Sequence, residues 1–422
     1  MATPLLKPSD EQPSEDIQIE LVGACPSALT TSVRAVSAEL TLQRIQPLLS
    51  TIGITAQIDL TLAGVPACPV FQITRQDMRS AYFNAGKGYS EVESRVSGLM
   101  EAVEVYCFER PHPAALVAPQ HYRQPWPVID YAQLGIAAAS PPIRWLIAGR
   151  QLPSGQPCWL PADAVFLTLP QQQSQWASAN GIASGNTVAE ACNHALFEMV
   201  ERHALAEFFK SAAGTAIERV QPPAHAHHLH TTLRQLKELD IRCEFVLISE
   251  QASVAVFICY LDIPLTAGDP AAPRGAVQGF GAHFDPLIAM SRALAEAIQI
   301  LALCPVDQAT ATETTTSTRV ITSKQAAQID PMAIFQSRRQ HWQQLQHLIS
   351  MTALVPYDYL SFFDRDDIIS AVLDAEQTQQ QLLACLTQLG VGPVFLSVIS
   401  PTDWPVVVVK CFAAGLACVD GI

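Results

Sequence analysis

The chain has 422 residues, enough for one large domain or two ordinary ones. Hydrophobic residues make up 49% and charged residues 15%, which excludes a largely disordered chain. The formal charge is −14 and Lys and Arg form no cluster, so nucleic acid is excluded as the expected partner. The acidity reads either as a solvated surface or, more sharply, as carboxylates gathered for metal ions.

In chain order, residues 1–18 are rich in Pro, Ser and acids and read as a disordered tail; residues 19–422 read as one domain. The N-terminus has no apolar run for secretion, and no stretch reaches the ~20 apolar residues of a membrane span. The 11 cysteines form no CxxC pair, which fits reduced thiols and argues against structural zinc. The expectation is a cytoplasmic protein with no membrane partner.

The pattern predicts a helix over 38–50, strands over 56–62 and 70–74, and a helix over 91–108. The proline-rich segment 111–170 reads as strands and loops. A long helix is predicted over 188–210, strands over 243–249 and 254–261, then a glycine-rich loop as far as Gly281. Helices over 286–303 and 376–388 and strands over 394–399 and 405–411 complete the pattern. The glutamine run 171–175 and the threonine-rich stretch 309–318 read as loops. Helices and strands alternate irregularly, so the fold class is mixed α/β (α+β) and not a simple doubly wound sheet.

Three of these helices carry polar seams. Ser97, Glu101 and Glu104 share one face at i, i+4 and i+7 spacing. Their neighbours Leu99, Met100, Val103 and Val105 are apolar, so this is not an obviously solvated face. In the second helix Thr187 and Glu190 have capping-box spacing, and Glu190 reads equally as a cap or as a site residue. Glu190, Glu198 and Glu201 line one stripe with Arg202 beside it. The third helix carries Arg292, Glu296 and Gln299 on one face, which alone would read as a wet intrahelical pair. If the three seams converge, their carboxylates cannot all stay ionised without compensation. Mg²⁺ with phosphate oxygens would supply it. The run AGKGYS around Lys87 is no phosphate loop, and Lys87 reads equally as a loop residue or a phosphate contact.

These runs resemble the YcaO family. AGKGYSEVESRVSGLMEAVE resembles its first motif, NGIASGNTVAEACNHALFEMVER its second and GFGAHFDPLIAMSRALAEAIQ its third, in order over roughly 200 residues. The resemblance implies a YcaO-type fold holding ATP through Mg²⁺. It implies Glu101, Glu104, Glu198 and Glu201 as metal ligands. It places Asn186, Glu190, Arg202, Arg292, Glu296 and Ser97 at nucleotide-contact positions, with Arg34 and Thr41 matching a family Lys and Ser. Glu101, Glu201 and Arg292 are then the catalytic expectation.

Three departures bear on the subtype. Ala183 stands where some members have a nucleotide-contacting Ser. ILALCP follows Gln299 without a common Arg, and the threonine-rich stretch replaces an acidic one. The chain ends CVDGI without the proline-rich tail of many azoline-forming members. The last departure favours members that pair with a TfuA-type partner and are linked to backbone thioamides. The resemblance implies ATP-dependent O-phosphorylation of a peptide backbone amide, giving a thioamide or an azoline. A peptide or protein substrate, a TfuA-like or E1-like partner and a homodimer are the expected associations. A degenerate scaffold that binds a peptide or partner without catalysis, and a plain Mg²⁺-dependent phosphohydrolase, are the rival readings.

Overall fold

A computed structural model of the chain describes residues 33–80, 83–121, 125–136, 142–170, 172–174, 176–211, 218–249, 253–263, 275–303 and 374–416. In order, the elements are α1 (Ala38–Ile45), α2 (Leu48–Thr51), β1 (Ile54–Asp59), β2 (Val70–Arg75), β3 (Asn84–Lys87) and α3 (Glu91–Glu109). There follow β4 (Leu146–Leu152), β5 (Pro157–Pro161), α4 (Ala162–Val165), β6 (Thr168–Leu169), β7 (Gln172–Gln173), β8 (Ile182–Gly185) and α5 (Val188–Ser211). Then come β9 (Glu218–Val220), α6 (His227–Glu238), β10 (Arg242–Ser249), β11 (Ala255–Ile263), β12 (Gly275–His283) and α7 (Pro286–Leu303). The last three are α8 (Ala375–Gln388), β13 (Val394–Val398) and β14 (Val407–Ala413).

Every pairing among these strands is antiparallel, so the mixed class is of the α+β kind. The sheet orders are β1-β2-β3, β12-β11-β10-β9, β5-β4-β13-β14-β8 and the pair β6-β7. Helix α3 lies on β2 and β3, α5 on β8 and β14, and α7 on β11 and β12. Local chemistry sets the helix starts. The Ser90 hydroxyl accepts from Glu93 N at 3.2 Å and opens α3. Asp374 and Gln377 close a full capping box on α8.

Several expectations are corrected. The glycine-rich stretch ending at Gly281 is not a loop but the strand β12, at least from Gly275. Its glycines serve close approach: a Cβ at Gly279 would lie 2.2 Å from Ala293 O, and one at Gly281 would lie 2.0 Å from Ala289 O. So α7 can sit directly on the strand backbone. The same device joins α3 to β3, where a Cβ at Gly86 would meet Ser94 O at 1.9 Å. The helix expected over 38–50 breaks into α1 and α2 around Pro47, which has no N–H to continue the ladder. The glutamine run is partly strand, since Gln172 and Gln173 pair with Leu169 and Thr168. Strands β3, β8 and β9 and helices α4 and α6 were not foreseen. The N-terminal tail and the threonine-rich stretch lie outside the described residues.

Helix α7 is long and apolar enough, by length and composition, to cross a membrane. Here it is a core helix: Ala289, Met290, Ala293, Leu294, Ala297 and Ile298 are buried with Phe257, Cys259 and Val277 of the sheet beneath.

Candidate nucleotide and metal site

The seams of α3, α5 and α7 meet because each helix leans on strands shared with its neighbours. From β3, Asn84 Nδ2 donates to Glu101 Oε1 of α3 at 3.2 Å, and Lys87 Nζ donates to Glu296 Oε2 of α7 at 2.6 Å. From β8, the Ser184 N–H and hydroxyl both donate to Glu104 Oε1 of α3, at 2.7 and 2.6 Å. Between the helices, Arg292 Nη2 of α7 lies 3.3 Å from His194 Nε2 of α5. Within α5, Arg202 Nε stands 4.0 Å from Glu198 Oε1.

The carboxylates feel one another. Burial pushes Glu104 up to about 8, with Glu101 and Glu198 adding to the rise and the Ser184 bonds opposing it. Burial pushes Glu101 up to about 7 against the Asn84 bond and Lys87, and Glu296 adds to it. Glu201 is pushed up to about 7 by burial and by Glu296 and Glu198, against Arg202 and Arg292. Glu198 also rises through burial, although Arg202 and Arg292 oppose it. Glu296 moves the other way: burial raises it, but Lys87, Arg202 and Arg292 outweigh that and hold it low. Five carboxylates on three helices thus share one electrostatic neighbourhood, and four of them are reluctant to ionise.

A second polar group forms around Glu190, beside a cleft. Glu190 accepts from Arg34 Nη1 at 3.3 Å and from the N–H groups of Ala35 and Asn186 at 3.2 Å each. Asn186 Nδ2 donates to Thr41 Oγ1 at 3.0 Å, and Arg44 Nη1 donates to Asn186 Oδ1 at 3.3 Å. Only half of the expected capping box forms: Thr187 Oγ1 accepts from Glu190 N at 3.1 Å, while the buried Glu190 carboxylate bonds Arg34 and the N–H groups of Ala35 and Asn186. The cleft is lined by Arg34, Ser184, Glu190, Asn193, His194, Phe197, His283 and Arg292, with Ala375 and Thr378 of α8 at its edge. Ser97 sits one turn before Glu101, half-buried and with no side-chain hydrogen bond among the described residues.

Among the described residues, no three His, Cys, Asp or Glu side chains converge closely enough to enclose a metal ion by themselves. The four carboxylates expected as ligands form no closed cage, because Glu101 and Glu104 are each tied to a neighbour in β3 or β8. The donor set still fits Mg²⁺, which keeps several waters and shares its shell with substrate phosphates. Asn84 Oδ1, buried and without a hydrogen-bond partner among the described residues, is a further oxygen beside Glu101. Arg34 and Arg292 line the cleft and Lys87 stands on Glu296, positive charge of the kind that phosphates would need.

Sequence reasoning missed Asn84, Ser184 and His194, carried His283 only as the histidine of the third-motif resemblance, and left Lys87 open. The first two lie on strands too short to read from pattern, β3 and β8. The only sequence signal for His194 was its place four residues before Glu198, on the face of a helix already singled out.

Coupled carboxylates from three helices, with Lys87, Arg202 and Arg292 among them, are a donor set that a divalent cation and its phosphates could share. A family model described as the ATP- and Mg²⁺-binding YcaO cyclodehydratase matches residues 85–417, and the chain belongs to that family. An uncharacterized protein of Mycobacterium tuberculosis is 27% identical over 287 residues, and the match covers 63% of this chain and 61% of that protein. The chain thus spans about three fifths of that relative's length. A Rhizobium leguminosarum bv. trifolii protein encoded in the tfuA 3′ region is 28% identical over 285 residues, covering 63% of this chain and 66% of the relative. Among solved structures, YcaO from Methanopyrus kandleri bound with AMPPCP and Mg²⁺ shares the fold, with a TM-score of 0.67 at 20% identity over 92% of this chain and 93% of that one. A heterocyclase in complex with substrate and cofactor gives 0.63 at 17% identity over 91% of this chain and 53% of that one. The Escherichia coli microcin synthetase McbBCD complex gives 0.55 at 12% identity over 85% and 86%.

Proposed function

We propose that this chain uses ATP to activate a backbone amide of a peptide or protein. The observation that carries this reading is the coupling of Glu101, Glu104, Glu198, Glu201 and Glu296 across three helices, with Lys87, Arg202 and Arg292 among them. Such an arrangement is costly without a ligand and is relieved by a divalent cation carrying phosphates.

The chemistry follows from what an amide lacks. A nucleophile of the substrate, a Cys, Ser or Thr side chain, adds to the carbonyl carbon, and its proton passes to solvent. The resulting oxyanion attacks the γ-phosphorus of ATP, and ADP leaves. Phosphate then departs with the former carbonyl oxygen as the amide nitrogen loses its proton, leaving the C=N bond of an azoline. If sulfide is the nucleophile, phosphate departs as the sulfur loses its proton and the nitrogen keeps its own, leaving the C=S bond of a thioamide. Mg²⁺ would supply charge neutralisation along the transferring phosphoryl group. Glu101, Glu104, Glu198 and Glu201 would hold it, with Glu101 and Glu201 the most consequential. Arg292 would orient the phosphates, and Glu190, Asn186, Thr41 and Arg34 would hold the rest of the nucleotide. The residues contribute position and fixed charge; no protein nucleophile is required.

Thioamide formation with a TfuA-like partner is the subtype we favour, in line with the Rhizobium relative's tfuA-region origin. An E1-like partner and azoline formation are the other branch. We further propose a cytoplasmic homodimer. The test is ADP release by the purified chain with candidate precursor peptides, each supplied with and without sulfide and the partner. Mass spectrometry separates the products, since an azoline loses water while a thioamide exchanges oxygen for sulfur. No peptide-dependent ADP release from a chain that binds Mg²⁺-ATP would refute catalysis and leave the non-catalytic scaffold.

A further inference from the structure

Arg292 is held from an unexpected side. Its Nη2 lies 3.3 Å from Nε2 of His194, an imidazole reaching across from α5 to α7. An imidazole nitrogen accepts a hydrogen bond only when it carries no proton. Burial, together with the charges of Arg292, Arg34 and Lys87, keeps His194 well below the ordinary histidine range, so the ring is neutral and Nε2 is free to accept. One helical turn on, Phe197 stacks on His283, with ring centroids 4.6 Å apart. His283 Nδ1 in turn accepts from Asp285 N at 2.9 Å, which fixes that ring as a neutral tautomer also. His194, Phe197, His283 and Arg292 all line the same cleft.

Two other cations are likewise held by a side chain from another element: Lys87 by Glu296 at 2.6 Å and Arg34 by Glu190 at 3.3 Å. His194 holds Arg292 in the same way, with a neutral acceptor. We infer that His194 is a positioning residue, which aims the Arg292 guanidinium at the nucleotide phosphates.

The inference rests on the reading of this cleft as the Mg²⁺-ATP site, and the test keeps the two apart. Calorimetric Kd for Mg²⁺-ATP is measured on the full chain and on the variants His194→Leu, His194→Gln, Arg292→Gln and the double variant His194→Leu/Arg292→Gln. Loss of a hydrogen bond to a charged group should weaken binding about tenfold in His194→Leu. Gln offers an amide oxygen as acceptor, so His194→Gln should stay within about threefold of the parent. In the Arg292→Gln background, His194→Leu should bring no further loss, because the residue acts through Arg292. Equal losses in both backgrounds, or no loss in His194→Leu, would overturn the positioning role while leaving the site intact. A parent chain that fails to bind Mg²⁺-ATP at millimolar concentration would overturn both.

Discussion

Single side chains at this site are set against one another, which gives mutations opposite signs in two measurements. Glu101→Gln and Glu201→Gln preserve size and helix propensity while removing a charge that burial and neighbouring carboxylates disfavour. Without ligand, each variant should melt at the same temperature as the parent or higher. Mg²⁺-ATP should then fail to stabilise it, and peptide-dependent turnover should fall by about 10²-fold or more. Full turnover in both variants would refute the site assignment. The pH dependence has a definite sign too. Glu101, Glu104 and Glu201 have folded-state values of about 7, 8 and 7 against an ordinary 4.5. The folded state therefore binds more protons than the unfolded state between those values, and stability falls as pH rises through that window. The ligand-free chain should melt at a lower temperature at pH 8 than at pH 6, and saturating Mg²⁺-ATP should narrow the gap. A ligand-free melting temperature that rises over this range would contradict the burial of these groups.

At the scale of elements, the long helices were legible and the short strands were not. Helix α7 matches its expected bounds because Pro286 opens it and an unbroken apolar pattern carries it to Leu303. Helix α3 and helix α5 end within a residue of expectation for the same reason of period. Strand β12 was read as a loop because its glycines are loop formers by local propensity. What overrides propensity is a helix backbone pressed against the strand, which the sequence does not display. Gly279→Ala and Gly281→Ala test this. With helix backbone near 2 Å from the new Cβ, each should destabilise by about 1–3 kcal/mol or more, read as a lower melting temperature. Because α7 carries Arg292 and Glu296, weaker Mg²⁺-ATP binding should accompany it. A neutral Gly281→Ala would mean that α7 and β12 sit further apart.

At the scale of the whole molecule, the five-stranded sheet binds distant parts of the chain. Strand β13 pairs with β4 through Val394 and Leu152, and β14 pairs with β8 through Val409 and Ala183. The C-terminal strands are thus central in the sheet, between β4 and β8. A chain cut after Leu303 loses both, along with α8 and its contact to α5. It should be insoluble, or show no near-ultraviolet dichroism, although all three seam helices remain in it. A well-folded fragment of that kind would argue for two independent domains.

The sequence alone determined the α+β class, the long helices and the polar faces of three of them, because helical period is a local property written into residue spacing. It also carried the family motifs, and with them the expected site residues. Only the tertiary structure decided which seams meet and what stands between them. It set Glu104 on Ser184, Glu101 on Asn84, Lys87 on Glu296 and His194 on Arg292. Each of these pairs joins two elements whose meeting depends on strand register and close glycine packing, and neither is visible in the spacing along one helix.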